Sequence, residues 1–325
     1  MKLQYISPYP KFDSHAHLLG EKTSYVEILN AAHVRAVLNV SFGNSESPEW
    51  ISQYEADLRA DTERFPRRFF FCPSFNVTRF EEPGYTREVV KKLSLDFDRR
   101  QAVAVKIWKD LGMMLRDRRG RYVFCDDPRL APVFDFIASR GLPIVMRIGD
   151  PKAAWLPLDS HSLHSGYYRS NPDFHLFGKP NTPSYEEILQ HRDALIERYP
   201  DTCVVCAHLG SIDHDLDMLA EFLGKHPNAA VDSAARIADL RSHPKSQVRD
   251  FFSTCRSRVL YGTDWEPEPP KGGIESPNLR KWVDNTVRRF QEDFRFFEET
   301  LALPPEVLED FYLGNAVRFF RLADL

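Results

Sequence analysis

Eight short apolar runs, rich in β-branched and aromatic residues and separated by helix-like stretches, constrain the fold of this 325-residue chain more than any other feature. They span residues 11–17, 36–42, 68–75, 102–108, 142–148, 203–209, 229–234 and 259–263. Between them lie amphipathic segments over 47–64, 87–98, 128–140, 184–198, 213–225 and 244–256. Alternating strands and helices imply parallel strands, and eight such units over this length predict an α/β chain folded as a single distorted (β/α)8 TIM barrel. No linker rich in Gly, Ser or Pro divides the chain, so residues 1–325 are expected to form one domain. Two connections are long: 149–183 after the fifth strand and 265–277 after the eighth. Both would overhang the C-terminal face, where barrel enzymes keep their active sites. The closing segment, 305–322, reads as an amphipathic helix packed back on the barrel.

Composition narrows the class of partner. Hydrophobic residues at 42% and 24 Phe supply a large core, and a net charge of −4 with mixed signs argues against nucleic acid and anionic membranes. No run of about 18 apolar residues occurs, and no basic-then-apolar leader opens the sequence, so a soluble cytoplasmic protein is expected. Five scattered cysteines, Cys72, Cys125, Cys203, Cys206 and Cys255, do not make a disulfide framework. Cys203 and Cys206 form a C-x-x-C inside a strand, where positions i and i+3 face opposite ways, so they read as packing. A small-molecule substrate is the expected partner, and self-association as a homo-oligomer is left open.

The chemistry begins at Asp13-Ser14-His15-Ala16-His17. Alternate side chains of a strand share a face, so His15 and His17 can converge on one ion, and with a distant carboxylate they would form a zinc site with an open position. Alone, the pair could equally be two hydrogen-bonded histidines. Polar residues recur at other strand ends: Lys106 on the fourth, His208 on the sixth, Asp232 on the seventh and Asp264 on the eighth. Each has an ordinary reading by itself, as a cap, a satisfied core residue or half of an ion pair. Their joint occurrence around one barrel mouth points to a site.

The chain resembles the amidohydrolase superfamily, in the branch that includes aminocarboxymuconate semialdehyde decarboxylase and several sugar or aromatic lactonases. The resemblance runs in order through D-S-H-A-H, V-K-I-W-K, D-D-P-R-L, G-L-P-I-V-M-R-I-G-D-P, A-H-L-G, V-D-S-A, L-Y-G-T-D-W and G-N-A-V-R-F-F. It implies the barrel, His15, His17 and Asp264 as ligands of one divalent metal, expected as zinc, and Asp264 and His208 as catalytic groups. Asp264 would take a proton from the attacking water, while His208 would polarise the substrate or act as acid or base. Lys106, Arg147 and Asp232 are the expected substrate-binding residues.

One position departs from the pattern. The fifth strand of the family normally ends in a histidine ligand, in a phrase like G-L-P-V-x-x-H-x-G-D-P, and this chain has Arg147 there. A guanidinium has no lone pair for a metal. Two unit charges about 4 Å apart at an effective dielectric of ~20 repel by about 4 kcal/mol. That is roughly three powers of ten in affinity. Three outcomes follow. One is a mononuclear site of His15, His17 and Asp264, helped by His208 or by a loop histidine, His161, His164 or His175. Another is a decarboxylase or metal-free lactonase in which Arg147 binds a substrate carboxylate. The last is a non-catalytic binding relative. The first is the leading expectation: a hydrolase of a small carboxylated or cyclic lactone or amide. Arg147 paired inside with Asp232 or Asp264 is the ordinary alternative, and Trp155, Tyr167, Tyr168, Arg169 and Lys179 give the long loop the composition of a lid.

Overall fold

The computed structural model describes residues 7–19, 22–42, 47–160 and 162–322. All eight expected strands form: β1 (Lys11–Ala16), β2 (Val34–Val40), β3 (Phe69–Cys72), β4 (Val105–Ile107), β5 (Ile144–Met146), β6 (Val204–Cys206), β7 (Ala229–Asp232) and β8 (Val259–Leu260). Their pairing is parallel and follows chain order, β1-β2-β3 in one ladder and β4 through β8 in another. Two seams join the ladders. At the first, Phe71 bridges Ala102, and the Val103 N–H donates to the Phe71 carbonyl at 3.0 Å. At the second, Ala16 bridges Trp265, and the Ser14 and His17 N–H groups donate to the carbonyls of Tyr261 and Trp265 at 2.9 and 2.8 Å. The fold is the expected TIM barrel, with its distortion concentrated at these seams.

Helices occupy the connections in order: α1 (Thr23–Ala31), α2 (Pro48–Arg64), α3 (Tyr85–Arg99), the short kinked α4 (Asp110–Met113), α5 (Ala131–Ser139), α6 (Ser165–Ser170), α7 (Tyr185–Arg198), α8 (Leu216–Lys225), α9 (Ile237–Ser242), α10 (Lys245–Thr254), α11 (Leu279–Arg295), α12 (Pro305–Glu309) and α13 (Asn315–Phe319). Their starts follow local chemistry. Ser47 caps α2 by accepting from the Trp50 N–H with Pro48 in the first turn, and Ser184 and Glu187 form a reciprocal capping box on α7. Helices α1 and α11, which pack on each other, fill connections for which no helix was expected. No helix among the described residues is long and apolar enough to cross a membrane.

The barrel interior is small and apolar. Phe12, Leu38, Val40, Cys72, Ala104, Val145, Val205, Ala230 and Leu260 meet inside it, and Ala316, Phe320 and Leu322 close one end. The terminal segment therefore packs back as expected, although a π-helical turn, Asp310–Gly314, interrupts the helix. That turn offers the Phe311 carbonyl to the Tyr261 N–H at 2.9 Å, tying the segment to β8. A larger apolar layer between strands and helices surrounds the barrel, with Cys206 buried in it.

Candidate active site

Strand periodicity aims the polar residues. Two positions beyond the inward-facing Ala104, Val145, Ala230 and Leu260 come Lys106, Arg147, Asp232 and Gly262, and two further comes Asp264. Phe12 has the opposite parity to His15 and His17, but the β1–β2 register shifts between Asp13 and Ala16. Such an irregularity re-aims side chains. Gly262 admits the close approach of β8 to β1, because a Cβ there would lie 3.0 Å from Ser14 Oγ and 3.3 Å from His15 Cβ. Asp13 locks the same junction, accepting from the N–H groups of His15 and Thr263 at 3.0 and 3.1 Å. The strands are shorter than the apolar runs because their ladders end before these residues. His208 and Asp264 lie beyond the ladders in left-handed backbone, φ 60° and 56°. Such conformations in non-glycine residues collect at functional sites.

His15 Nδ1 donates to Asp232 Oδ2 at 2.9 Å, which leaves Nε2 as the nitrogen with a lone pair. Asp264 Oδ1 lies 3.4 Å from His15 Nε2 and 3.4 Å from His17 Nε2. His208 Nδ1 donates to the Ala234 carbonyl at 2.8 Å, while its Nε2 is buried without a hydrogen-bond partner, as is Asp264 Oδ1. Donor atoms of His15, His208 and Asp264 all fall within 4.8 Å of one another. The His17 ring is stacked on Phe42 with centroids 4.1 Å apart. Burial holds all three histidines below the usual range, with Lys106 adding to the effect at His15 and Arg147 at His208. Burial alone would raise the Asp264 carboxyl, but the three imidazoles around it hold it well below the usual carboxylate range.

The donors of His15, His208 and Asp264 fit a divalent metal as a group, and His17 approaches it through Asp264. Two atoms that each bind one ion at about 2.1 Å with a tetrahedral angle stand about 3.4 Å apart, and both observed oxygen–nitrogen spacings are 3.4 Å. The orphaned Asp264 Oδ1 and His208 Nε2 open onto the same place. Asp232 also supplies the carboxylate behind a ligating histidine that metal sites use to fix the ring. Two cations stand close by. Lys106 Nζ is 2.8 Å from His15 Nε2, and the Arg147 guanidinium acts on all three histidines through space.

Arg147 is paired with neither Asp232 nor Asp264. Its Nη2 lies 3.5 Å from Asp150 Oδ1, and its guanidinium carbon is 5.3 Å from the centre of the Trp108 ring. Asp150 also binds the buried Lys109 at 2.5 Å, and burial pushes the Lys109 ammonium down to about 7. Asp232 is likewise not open to a substrate: fully buried, it accepts from His15 Nδ1 and from the N–H groups of His208 and Ala234. Lys106, also fully buried, faces His15. Of the three residues expected to bind substrate, only Arg147 reaches the opening, with 13% of its side chain exposed.

Tyr167 and His164 are among the loop residues that dock the long loop onto the rest of the chain. The Tyr167 hydroxyl accepts from Lys109 Nζ at 2.8 Å and lies within electrostatic reach of Arg147. His164 Nε2 lies 2.8 Å from Asp239 and 3.5 Å from Asp213. His164 is therefore no replacement ligand at the barrel centre, and neither is His175, which bonds the Leu156 carbonyl. His161 lies outside the described residues. Lys179 is spent on the carbonyls of Pro172 and Asp173, Arg169 is exposed, Tyr168 is buried and Trp155 bonds the Pro183 carbonyl. The sequence reading missed Lys109 and Asp150, although both lie inside the quoted motifs; the second lysine of V-K-I-W-K was the available signal.

Burial disfavours the His164 charge, but Asp213 and Asp239 outweigh it and push its pKa up to about 9. A folded-state value above the unfolded one means that this anchor is at full strength below about 6.5 and is lost as pH rises through about 9. Hydrogen exchange of residues 162–178 should therefore accelerate between pH 6.5 and 9 beyond the intrinsic rate. A His164→Gln variant should exchange fast at both ends, and a flat wild-type response would remove His164 as the anchor.

A cavity of about 430 Å³ flanks Asp264, walled by Trp265, Glu266, Trp282, Thr286 and Phe290. A family model described as amidohydrolase matches residues 27–322. That span begins after β1, so His15 and His17 stand on geometry alone. Among curated proteins no significant sequence match is found. Solved structures similar across their length include the following three. 2,6-Dihydroxybenzoate decarboxylase in complex with 2,6-dihydroxybenzoate has TM-score 0.61 and 14% identity, covering 97% of this chain and 100% of that one. The dihydroxybenzoic acid decarboxylase of Polaromonas sp. JS666, with bound manganese and the inhibitor 2-nitroresorcinol, has TM-score 0.58 and 14% identity, covering 98% of each. The 4-oxalomesaconate hydratase of Rhodopseudomonas palustris has TM-score 0.59 and 12% identity, covering 96% of this chain and 95% of that one. At such identities the likeness is one of fold.

Proposed function

The chain belongs to the amidohydrolase family, whose members are enzymes that use a divalent metal, and from that premise we propose that it hydrolyses a small carboxylated or cyclic substrate, a lactone or an amide. One divalent ion, zinc, would be held by His15, His17 and Asp264, with His208 beside them. The observation that carries this reading is the equal 3.4 Å approach of Asp264 Oδ1 to the Nε2 atoms of both strand-one histidines. Bound there, such an ion lowers the pKa of water and polarises a carbonyl.

The chain's own groups account for the proton transfers. Asp264 is kept ionised and 22% of its side chain is exposed, so it can accept the proton of a water that adds to the substrate carbonyl. His208 presents an unprotonated Nε2, because its Nδ1–H is committed to the Ala234 carbonyl. It can take that proton and return it to the oxygen or nitrogen released when the C–O or C–N bond breaks. Arg147, steadied by Asp150, offers a planar fork to a substrate carboxylate, while Tyr167 covers it from the loop. Asp232 serves as the group that positions His15. Asp232→Asn should lower metal affinity about 10–100-fold, as read by competitive dialysis; an unchanged constant would remove that role.

A decarboxylase is the second reading. It is favoured by Arg147 and Lys109, which share Asp150, a setting that would hold a carboxylate about to be lost. A panel of carboxylated lactones and hydroxybenzoates, offered to protein reconstituted with zinc or manganese, separates the two. Acid release with ring opening supports the hydrolase, and carbon dioxide from a hydroxybenzoate supports the decarboxylase. Chelator-stripped protein turning over as fast as reconstituted protein would contradict the metal-assisted hydrolase.

A further inference from the structure

Among the described residues of the barrel centre, Lys106 is left without a task in the hydrolase reading. It sits at an inward position of β4, fully buried, with its backbone carbonyl fixed by the Ser74 hydroxyl at 3.1 Å. Its Nζ lies 2.8 Å from His15 Nε2. That nitrogen carries the ring's available lone pair, because Nδ1–H is committed to Asp232. An ammonium has three donors and no acceptor, so it cannot ligate an ion; it can only hold the lone pair that an ion needs.

We propose that Lys106 is an internal competitor for the metal: its ammonium and a divalent ion occupy His15 Nε2 in mutually exclusive fashion, so metal loading is an exchange that displaces the lysine. This rests on the metal-site reading above and adds what sets its affinity. The two carboxylates that face Lys106 are Asp232 and Asp264. The same two serve the metal site, one behind His15 and the other as a ligand, so lysine and ion draw on one pool of negative charge. The flexible four-carbon stem permits displacement without backbone movement, which a rigid guanidinium fork would not. The consequence is a site that stays ordered and charge-balanced without an ion and releases one readily. In combination with Arg147, it brings two cationic side chains to the centre.

The test is metal affinity rather than activity. Zinc and cobalt binding to the whole protein would be measured by equilibrium dialysis with elemental analysis, with the visible bands of cobalt reporting coordination. Lys106→Met should bind at least about tenfold more tightly than wild type, since one full charge and one lone-pair competitor are removed together. Lys106→Arg, which keeps the charge, should not. Lys106→Gln provides a second neutral variant should the methionine protein fold poorly. In wild type, the nitrogen resonance of one buried lysine should shift when zinc is added. Equal or weaker binding by both neutral variants, with wild type still binding, would overturn the competitor role and leave the metal site standing. No binding by any variant would overturn both.

Discussion

Asp264→Asn should cut turnover by about 10²–10⁴-fold, the range for losing a positioned general base, and should lower metal content as well. The two effects have separate origins. Asp264 Oδ1 is the atom equidistant from His15 and His17 Nε2, so the amide replaces an anionic ligand with a neutral one. The carboxylate is also held ionised by the surrounding imidazoles, and an amide cannot accept the proton of an attacking water. Size is conserved and the Asp264 N–H bond to the His15 carbonyl at 2.8 Å is a backbone contact, so the variant should fold. Assays at saturating zinc isolate the base role, because they restore occupancy without restoring the proton acceptor. Turnover within a factor of about three of wild type under those conditions would remove Asp264 from the chemistry, being far below the usual effect of a lost base.

Arg147→His should raise zinc affinity by at least about tenfold, because it removes a positive charge that acts on all three histidines. The guanidinium lowers the proton affinity of His15, His17 and His208 alike, and a metal ion meets the same repulsion. The substitution removes that charge and adds an imidazole on the strand that would supply the ligand in the family resembled. Arg147→Met separates the two contributions, since it removes charge and adds no donor. The neighbouring ion pair should survive in both variants, because Asp150 keeps Lys109 at 2.5 Å. If neither variant binds zinc more tightly than wild type, Arg147 is not what limits occupancy.

The strands were legible because parallel barrel strands, buried on both faces, read as continuous apolar runs. Their ends were overextended in the reading, since the apolar pattern continues into Ala207 and Tyr261 after the ladders have stopped. His15, His17, His208 and Asp264 could be found because strand ends on one barrel face must converge. Asp232 was misassigned for the same reason: parity shows that it points inward, but not that His15, His208 and Ala234 use both of its oxygens. The partner of Arg147 was hidden by the turn at Gly149, φ 75°, which folds Asp150 back beside it. Tyr167 and His164 were readable only as loop composition, because non-local docking onto Lys109, Asp213 and Asp239 leaves no periodic trace. Helix α11 was missed behind a segment crowded with Pro, Gly and Glu.

The central claim is that His15, His17 and Asp264 hold one metal ion despite Lys106 and Arg147. Anomalous diffraction at the zinc edge, on crystals grown without chelator and soaked in zinc, tests it most directly. The account predicts a single peak about 2.0–2.2 Å from His15 Nε2, His17 Nε2 and Asp264 Oδ1, with Lys106 withdrawn from His15. A map with no peak at saturating zinc, and Lys106 still bonded to His15 Nε2, would contradict it.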